Sequence, residues 1–266
     1  MRDHHGSANA THDNTTYSTL LNKMQYTDDS MFRSDLRILQ PADGYRFTLD
    51  AILLATFVKT KASDSVLEIG AGTGVVSILI AATNAYHSLV AVEIQSELAQ
   101  LCRKNFENNQ MKNAVVHELD VKDIDRLFNS ESFDLIYCNP PYRKIGTGRL
   151  NPSAEKAIAR HEIKMKLEDV FQCADRFLKP DGHVAMILPR FRENDFQLLA
   201  ERHHFHVQER RSVHSFANEP YAFFLASLGK GVGPSLELPS FVIYNHPGEY
   251  TKEMQSLLRG RSLPPE

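Results

Sequence analysis

The 266-residue sequence contains no apolar run near the roughly 18 residues that a membrane-spanning helix needs. Its opening, "MRDHHGSANATHDNTTYSTLLNK", lacks the charged head and apolar stretch of a secretory leader. A soluble, cytoplasmic protein is the expectation. Cysteine is scarce: Cys102, Cys138 and Cys173 are odd in number, widely spaced and without a C-x-x-C pair. That pattern argues against a disulfide framework or a cysteine zinc site and leaves reduced packing residues. An overall basic excess is missing too. A net charge of −3 speaks against a wholly basic surface while leaving room for a local basic face. No internal repeat is present. With 42% hydrophobic and 24% charged residues the chain can build a core of ordinary size, and its length suits one large domain with tails.

Residues 1–30 are polar and aperiodic and are expected to form a disordered tail. "LRILQPADGYRF" (36–47) predicts a hairpin turning at Pro41 to Gly44, and "TLDAILLATFVK" (48–59) a buried helix with Thr48 at its N-cap. From Ser65 the pattern turns regular. "SVLEIG", "SLVAVEI", "NAVVHELD", "SFDLIYCN" and "HVAMIL" read as strands, with helical segments between them. Near-continuous apolar strands alternating with helices predict an α/β fold, a doubly wound, Rossmann-like sheet covered on both faces. "FHVQERRSV" and "PYAFFLASL" complete seven strands as an antiparallel pair at one edge. The expected division is a main domain over 31–230 and an extended appendage over 231–266.

Candidate chemistry begins at "EIGAGTG" (68–74), where Gly70, Gly72 and Gly74 between a strand and a helix bring the backbone close to a ligand. A dinucleotide fingerprint would want glycine where Val75 stands, and Glu68 would repel a pyrophosphate, so a cationic ligand is favoured. Glu93 ends the next strand about twenty residues on, where a carboxylate accepts from two ribose hydroxyls. Asp120 ends the third strand, placed to accept from an adenine amine with the Val121 backbone beside it, or to cap the following helix. These acceptors fall at successive strand ends, where open α/β sheets bind ligands.

The fourth strand stops at Asn139-Pro140-Pro141-Tyr142. A conjugated amine is a poor nucleophile because its lone pair is delocalised. The Asn139 side-chain oxygen and the Pro140 carbonyl, each taking one N–H, would favour a more tetrahedral nitrogen and strengthen as positive charge develops. Pro140 and Pro141 restrict the backbone, and Tyr142 offers a ring for stacking a planar target. Downstream, residues 143–166 carry Arg143, Lys144, Arg149, Lys156, Arg160, Lys164 and Lys166 against Glu155 and Glu162, a basic face of either solvent or nucleic acid.

Together "EIGAGTG" and "NPPY" resemble the class I S-adenosylmethionine-dependent methyltransferases of the N-P-P-Y type. "LQPADGYRFTLDAILLATFV", "NPPYRKIGTGRLNPSAEKAIARHE" and "VIYNHPGEYTKEMQSLLRG" are similar to bacterial tRNA adenine methyltransferases that modify the adenine beside the anticodon of a valine tRNA. The resemblance implies S-adenosylmethionine as cofactor, held by Glu68, Gly70, Gly72, Gly74, Glu93, Asp120 and Val121. It also implies catalysis by Asn139, Pro140 and Tyr142, and an RNA substrate, most simply tRNA, along Pro141, Arg143, Lys144 and Arg149. Phe47 resembles the family's aromatic on the cofactor side, or serves the core. Arg160 and His161 contact RNA or buttress the loop; Arg210, Arg211 and His214 are an outer RNA-facing possibility. "HHFH" (203–206) lacks an acidic partner at ligand spacing, so no metal is expected, and a monomer is. Three alternatives stay open: a glutamine amide methyltransferase acting on release factors, a guanine-amine methyltransferase acting on ribosomal RNA, and a non-enzymatic RNA-binding scaffold. A DNA adenine methyltransferase would need more target-recognition mass than the chain offers.

Overall fold

The computed structural model describes residues 26–31, 36–42, 48–141 and 165–260. Strands β3 (Ser65–Ile69), β4 (Ser88–Glu93), β5 (Ala114–Glu118), β6 (Phe133–Cys138) and β7 (Leu178–Pro189) form the parallel heart of one sheet. β3 pairs with both β4 and β6, so the chain winds outward on one side and then restarts on the other. The switch point therefore lies between β3 and β6, where a crevice opens at their carboxyl ends.

Both faces of this heart are buried, and side-chain alternation sorts them. Val66, Leu89, Ala91, Leu135, Tyr137 and Ala185 face helices α1 (Leu49–Phe57), α2 (Val75–Thr83) and α3 (Ser96–Asn108). Leu67, Ile69, Val90, Val92, Ile136 and Val184 face α4 (Leu167–Phe177) and α5 (Glu193–Arg202). The three cysteines are free and buried. Among the described residues no helix is long and apolar enough to cross a membrane.

Two expectations need correction. The sheet has nine strands, not seven: β8 (Phe205–Phe216) and β9 (Phe223–Lys230) are the expected antiparallel pair, but β8 also pairs in parallel with β10 (Leu236–His246), which carries β11 (Glu249–Tyr250). Residues beyond 231 thus join the sheet rather than hang from it. The reason is burial: Phe241 and Ile243 continue the inner face, and Met254 and Leu257 of α6 (Lys252–Leu258) belong to the same core. Thr251 holds α6 in place, accepting from the Met254 N–H at 3.1 Å and donating to the Val242 carbonyl at 2.8 Å.

The second correction concerns the tail: β1 (Tyr26–Met31) begins inside it and pairs with β2 (Leu36–Pro41). They form a hairpin upstream of Pro41, while the strand expected after Gly44 lies outside the described residues. What holds the hairpin is α3. Asn109 accepts from the Arg37 N–H at 3.1 Å and donates to the Arg37 carbonyl at 2.7 Å, and Asn105 does the same with Leu39 at 2.7 and 2.9 Å. Two asparagines one helical turn apart thereby stand in for a neighbouring strand, since the rise of a turn matches two residues of extended chain.

Candidate active site

The glycine loop follows β3 and must turn sharply into α2. Gly70, Gly72 and Gly74 all take left-handed φ angles of 71°, 58° and 80°, costly for any residue with a Cβ. At Gly74 a Cβ would stand 2.6 Å from Cys102 Sγ and 2.7 Å from Phe106 Cε1, so glycine is what lets α2 start against α3. At Gly70 it would stand 3.0 Å from Met165 Cε.

Glu93 braces this loop from the tip of β4. Its Oε2 accepts from the Gly72 N–H at 2.9 Å and its Oε1 from the Gln95 N–H at 2.9 Å, with the side chain almost fully buried. Carboxylate oxygens have two acceptor directions each, so a Glu93 held this way still has capacity for hydroxyl donors. Thr73 Oγ1, in the same loop, is buried without a hydrogen-bond partner among the described residues. The loop therefore has the acceptors and close backbone approach that a nucleoside with a cationic arm requires.

Glu68 departs from its expected role. It is buried beneath the loop, where Ser77 donates to its Oε2 and the Tyr137 hydroxyl lies 2.6 Å from Ser77 Oγ. Burial pushes its pKa up to about 8, against the lowering effect of Ser77 and Tyr137. At neutral pH it carries a proton. Glu68 thus supports the loop from inside, through Ser77 and Tyr137.

Asp120 acts as the N-cap of the 3-10 turn Val121–Arg126, accepting from the Lys122 N–H at 3.0 Å and pairing with Lys122 Nζ at 3.1 Å. This is the capping alternative weighed from sequence. Val121 is buried at the start of the turn.

Asn139 lies beside the glycine loop, because Ile69 and Cys138 are paired partners at the ends of β3 and β6. Pro140 is buried and Pro141 half-buried. Asn139 Nδ2 donates to Asp50 Oδ2 at 3.3 Å, a partner not foreseen from sequence. Asp50 sits in the first turn of α1, 7% exposed, and its other oxygen takes the Thr48 hydroxyl and the Ala51 N–H. Thr48 occupies the N-cap but turns its hydroxyl to Asp50 instead of to the helix backbone. A lone acid inside the apolar run "LDAILLATF" was the available signal. Asn105 was missed as well: its Nδ2 also donates to the Thr73 carbonyl at 2.9 Å, tying hairpin, helix and loop together.

Tyr142, Arg143, Lys144, Arg149, Arg160, His161 and Phe47 lie outside the described residues. Arg210 is not available to an outer ligand, being paired with Glu193 at 2.6 Å and Glu237 at 3.2 Å and lying over the rings of Tyr221 and Phe224. His203 ends α5 and bonds to Glu168 at 3.2 Å, and among the described residues no group of acidic, histidine or cysteine side chains could hold a metal.

Comparison with known proteins fits this geometry. The family model described as "Methyltransferase small domain" matches residues 49–213. A protein of Aliivibrio salmonicida named tRNA1(Val) (adenine(37)-N6)-methyltransferase is 26% identical over 216 residues, 81% of this chain and 90% of its own. Another of that name, from Vibrio vulnificus, is 27% identical over 194 residues, 73% of this chain and 80% of its own. A crystal structure from Agrobacterium tumefaciens, described as a predicted O-methyltransferase, superposes with a TM-score of 0.64 at 20% identity, covering 80% of this chain and 97% of that one. S-adenosylmethionine is the cofactor, in keeping with the loop built by Gly70 to Gly74 and Glu93. The chain belongs to the methyltransferase small domain family.

Proposed function

We propose that the protein methylates the exocyclic amine of adenine in a tRNA, with the adenine beside the anticodon of a valine tRNA as the first candidate. The observation that carries this reading is the adjacency of the glycine loop and Asn139 at the paired ends of β3 and β6. The names of the relatives that span most of the chain support the choice of adenine and of tRNA.

When bound, S-adenosylmethionine supplies an electrophilic methyl on sulfur. The chain's own work is to hold the acceptor nitrogen. Asn139 Oδ1 and the Pro140 carbonyl each accept one N–H of the amine, which localises its lone pair and stabilises the charge that develops on nitrogen. The nitrogen, once methylated, would carry one proton too many, and that proton would pass to solvent. No strong base is needed, since that nitrogen is acidic once alkylated. Glu93 and the loop hold the nucleoside end, while Glu68, protonated and sealed inside, keeps the loop in shape. The basic segment 143–166 has the charge that a phosphate backbone calls for.

The test is direct. Purified protein is incubated with isotopically labelled S-adenosylmethionine and total tRNA, and the digested nucleosides are resolved by mass spectrometry. The expected product is a single methylated adenosine carrying the label on its exocyclic nitrogen. Label in a guanosine, or in a glutamine of a protein substrate with none in tRNA, would replace this reading with another.

A further inference from the structure

A carboxamide has two ends of nearly the same shape. For Asn139 to accept from an amine, its oxygen has to face the substrate and its NH2 has to face away, and a side chain at a strand tip has no intrinsic preference between the two. A wrong flip would aim two donors at two donors. Asp50 breaks the symmetry. An ionised carboxylate only accepts, so a bond between Asp50 Oδ2 and the Asn139 amide is possible solely with Nδ2 turned inward.

Asp50 is itself held. Its Oδ1 takes the Thr48 hydroxyl and the Ala51 N–H, the latter at 3.1 Å, and its side chain is nearly buried in the first turn of α1. α1 in turn packs within the main core through Ile52, Leu53 and Leu54, each almost wholly buried. The contact also polarises the amide: a negatively charged acceptor at Nδ2 raises electron density on Oδ1, the atom that would meet the amine. We infer that Asp50 is a positioning residue for methyl transfer, holding the Asn139 carboxamide in the orientation that presents its oxygen to the acceptor amine. The inference rests on the amine-methylating reading above. It gives the segment before β3 a part in specificity, because an amine donor is accepted only while this pair is intact.

A cap that merely stabilised α1 would also be destroyed by mutation, so the test uses an exchange of partners. Asp50→Ala is expected to lower kcat by about 10- to 100-fold, as a small misplacement of a reacting group does, with the KM for S-adenosylmethionine unchanged. Asn139→Asp alone sets two carboxylates against each other and is expected to be poorly active, since both cannot ionise side by side. Combined with Asp50→Asn it recovers at least about tenfold, because the amide introduced on α1 then donates to one oxygen of the carboxylate introduced at the tip of β6, and the other oxygen accepts from the amine. A double variant no better than Asn139→Asp would overturn the inference. So would an Asp50→Ala protein with lowered Tm but wild-type kcat, or one altered only in its KM for the cofactor.

A second measurement stands apart from turnover. In 15N-labelled protein the Asn139 side-chain NH2 signals, assigned by their absence in Asn139→Asp, should exchange slowly with water and lose that protection in Asp50→Ala. Fast exchange in the wild type would sink the positioning role whatever the substrate proves to be. Conversely, wild-type protein that methylates no tRNA while showing this protection would count against the proposed substrate and leave the pair standing.

Discussion

Asn105 Nδ2 lies 2.9 Å from the carbonyl of Thr73 and 2.9 Å from that of Leu39, so one buried side chain on α3 joins the glycine loop to the outer hairpin. Its Oδ1 accepts from the Leu39 N–H at 2.7 Å as well, and the residue is wholly buried. Asn105→Ala would strand three backbone groups. Each stranded group costs about 1–3 kcal/mol, so the variant should lose about 3 kcal/mol or more in urea unfolding. Its affinity for S-adenosylmethionine, read by calorimetry, should fall too, because the loop loses its tether. Asn109→Ala, which loses bonds to the outer strand and to its own helix but none to the glycine loop, should cost less and leave cofactor affinity intact.

Glu68 makes stability depend on pH. Its folded pKa is raised to about 8 from an ordinary 4.5, so the folded state binds a proton that the unfolded state releases in between. By linkage the contribution to stability is fully present below pH 4.5 and is lost as pH rises through 8, at about 1.4 kcal/mol per unit. Glu68→Gln keeps the shape and removes the titration. Subtracting the variant's unfolding free energies from the wild type's at about pH 5, 7 and 9 should leave a difference that moves steadily against the wild type as pH rises. A flat difference would mean that Glu68 is not a protonated buried acid.

At Gly74, space and backbone conformation both forbid a side chain, whereas at Gly248 only conformation does. Gly74 has φ of 80° and its Cβ would overlap Cys102 and Phe106, while Gly248 has φ of 81° and nothing within 4 Å. Gly248→Ala should therefore cost about 1 kcal/mol, the left-handed penalty alone. Gly74→Ala should cost several times that and weaken cofactor binding, because α2 must move off α3 to make room. Equal losses in thermal unfolding would show that the contact with α3 yields easily.

How far the sequence could be read follows from which forces are local. β3, β4 and β6 were legible because their buried faces demand runs such as "VLEI" and "LIYC", and the placement of Glu93 and Asn139 at strand ends because each closes such a run. β1 was not, since "YTDDSM" has no apolar alternation and becomes a strand only by pairing with β2, itself anchored by Asn105 and Asn109. β10 looked like an appendage because α6, which packs on its inner face, comes after it in the chain. Asp50 was hidden by distance, standing 89 residues from the side chain it holds. Glu68 misled for the opposite reason: its spacing fits a ligand-facing acid, and only burial reveals that it keeps its proton.

The proposed function gives the basic residues after Tyr142 a part in holding RNA rather than in chemistry. Replacing Arg143, Lys144 and Arg149 together by alanine should weaken tRNA binding and lower the slope of log K against log salt by about 2, as for three lost phosphate contacts. Turnover at saturating tRNA should change little. An unchanged slope in filter binding between about 50 and 200 mM salt, a range over which three such contacts lose about 15-fold, would place the RNA path elsewhere.

Asn139→Ala separates catalysis from binding. The Asn139 amide bonds to Asp50 on α1, whereas the glycine loop, which the proposed function assigns to the nucleoside end, is braced independently, by Glu93 at Gly72. Removing the side chain should leave the cofactor affinity nearly unchanged. It deletes one acceptor aimed at charge that exists only in the transition state, and such groups are worth about two to three powers of ten in kcat. Asp50 would meanwhile lose one partner but keep Thr48 and Ala51, so Tm should fall little. Single-turnover methyl transfer to tRNA, paired with calorimetric titration of S-adenosylmethionine, reads both quantities. A parallel loss of affinity and rate would make Asn139 a cofactor ligand and take the amine away from the tip of β6.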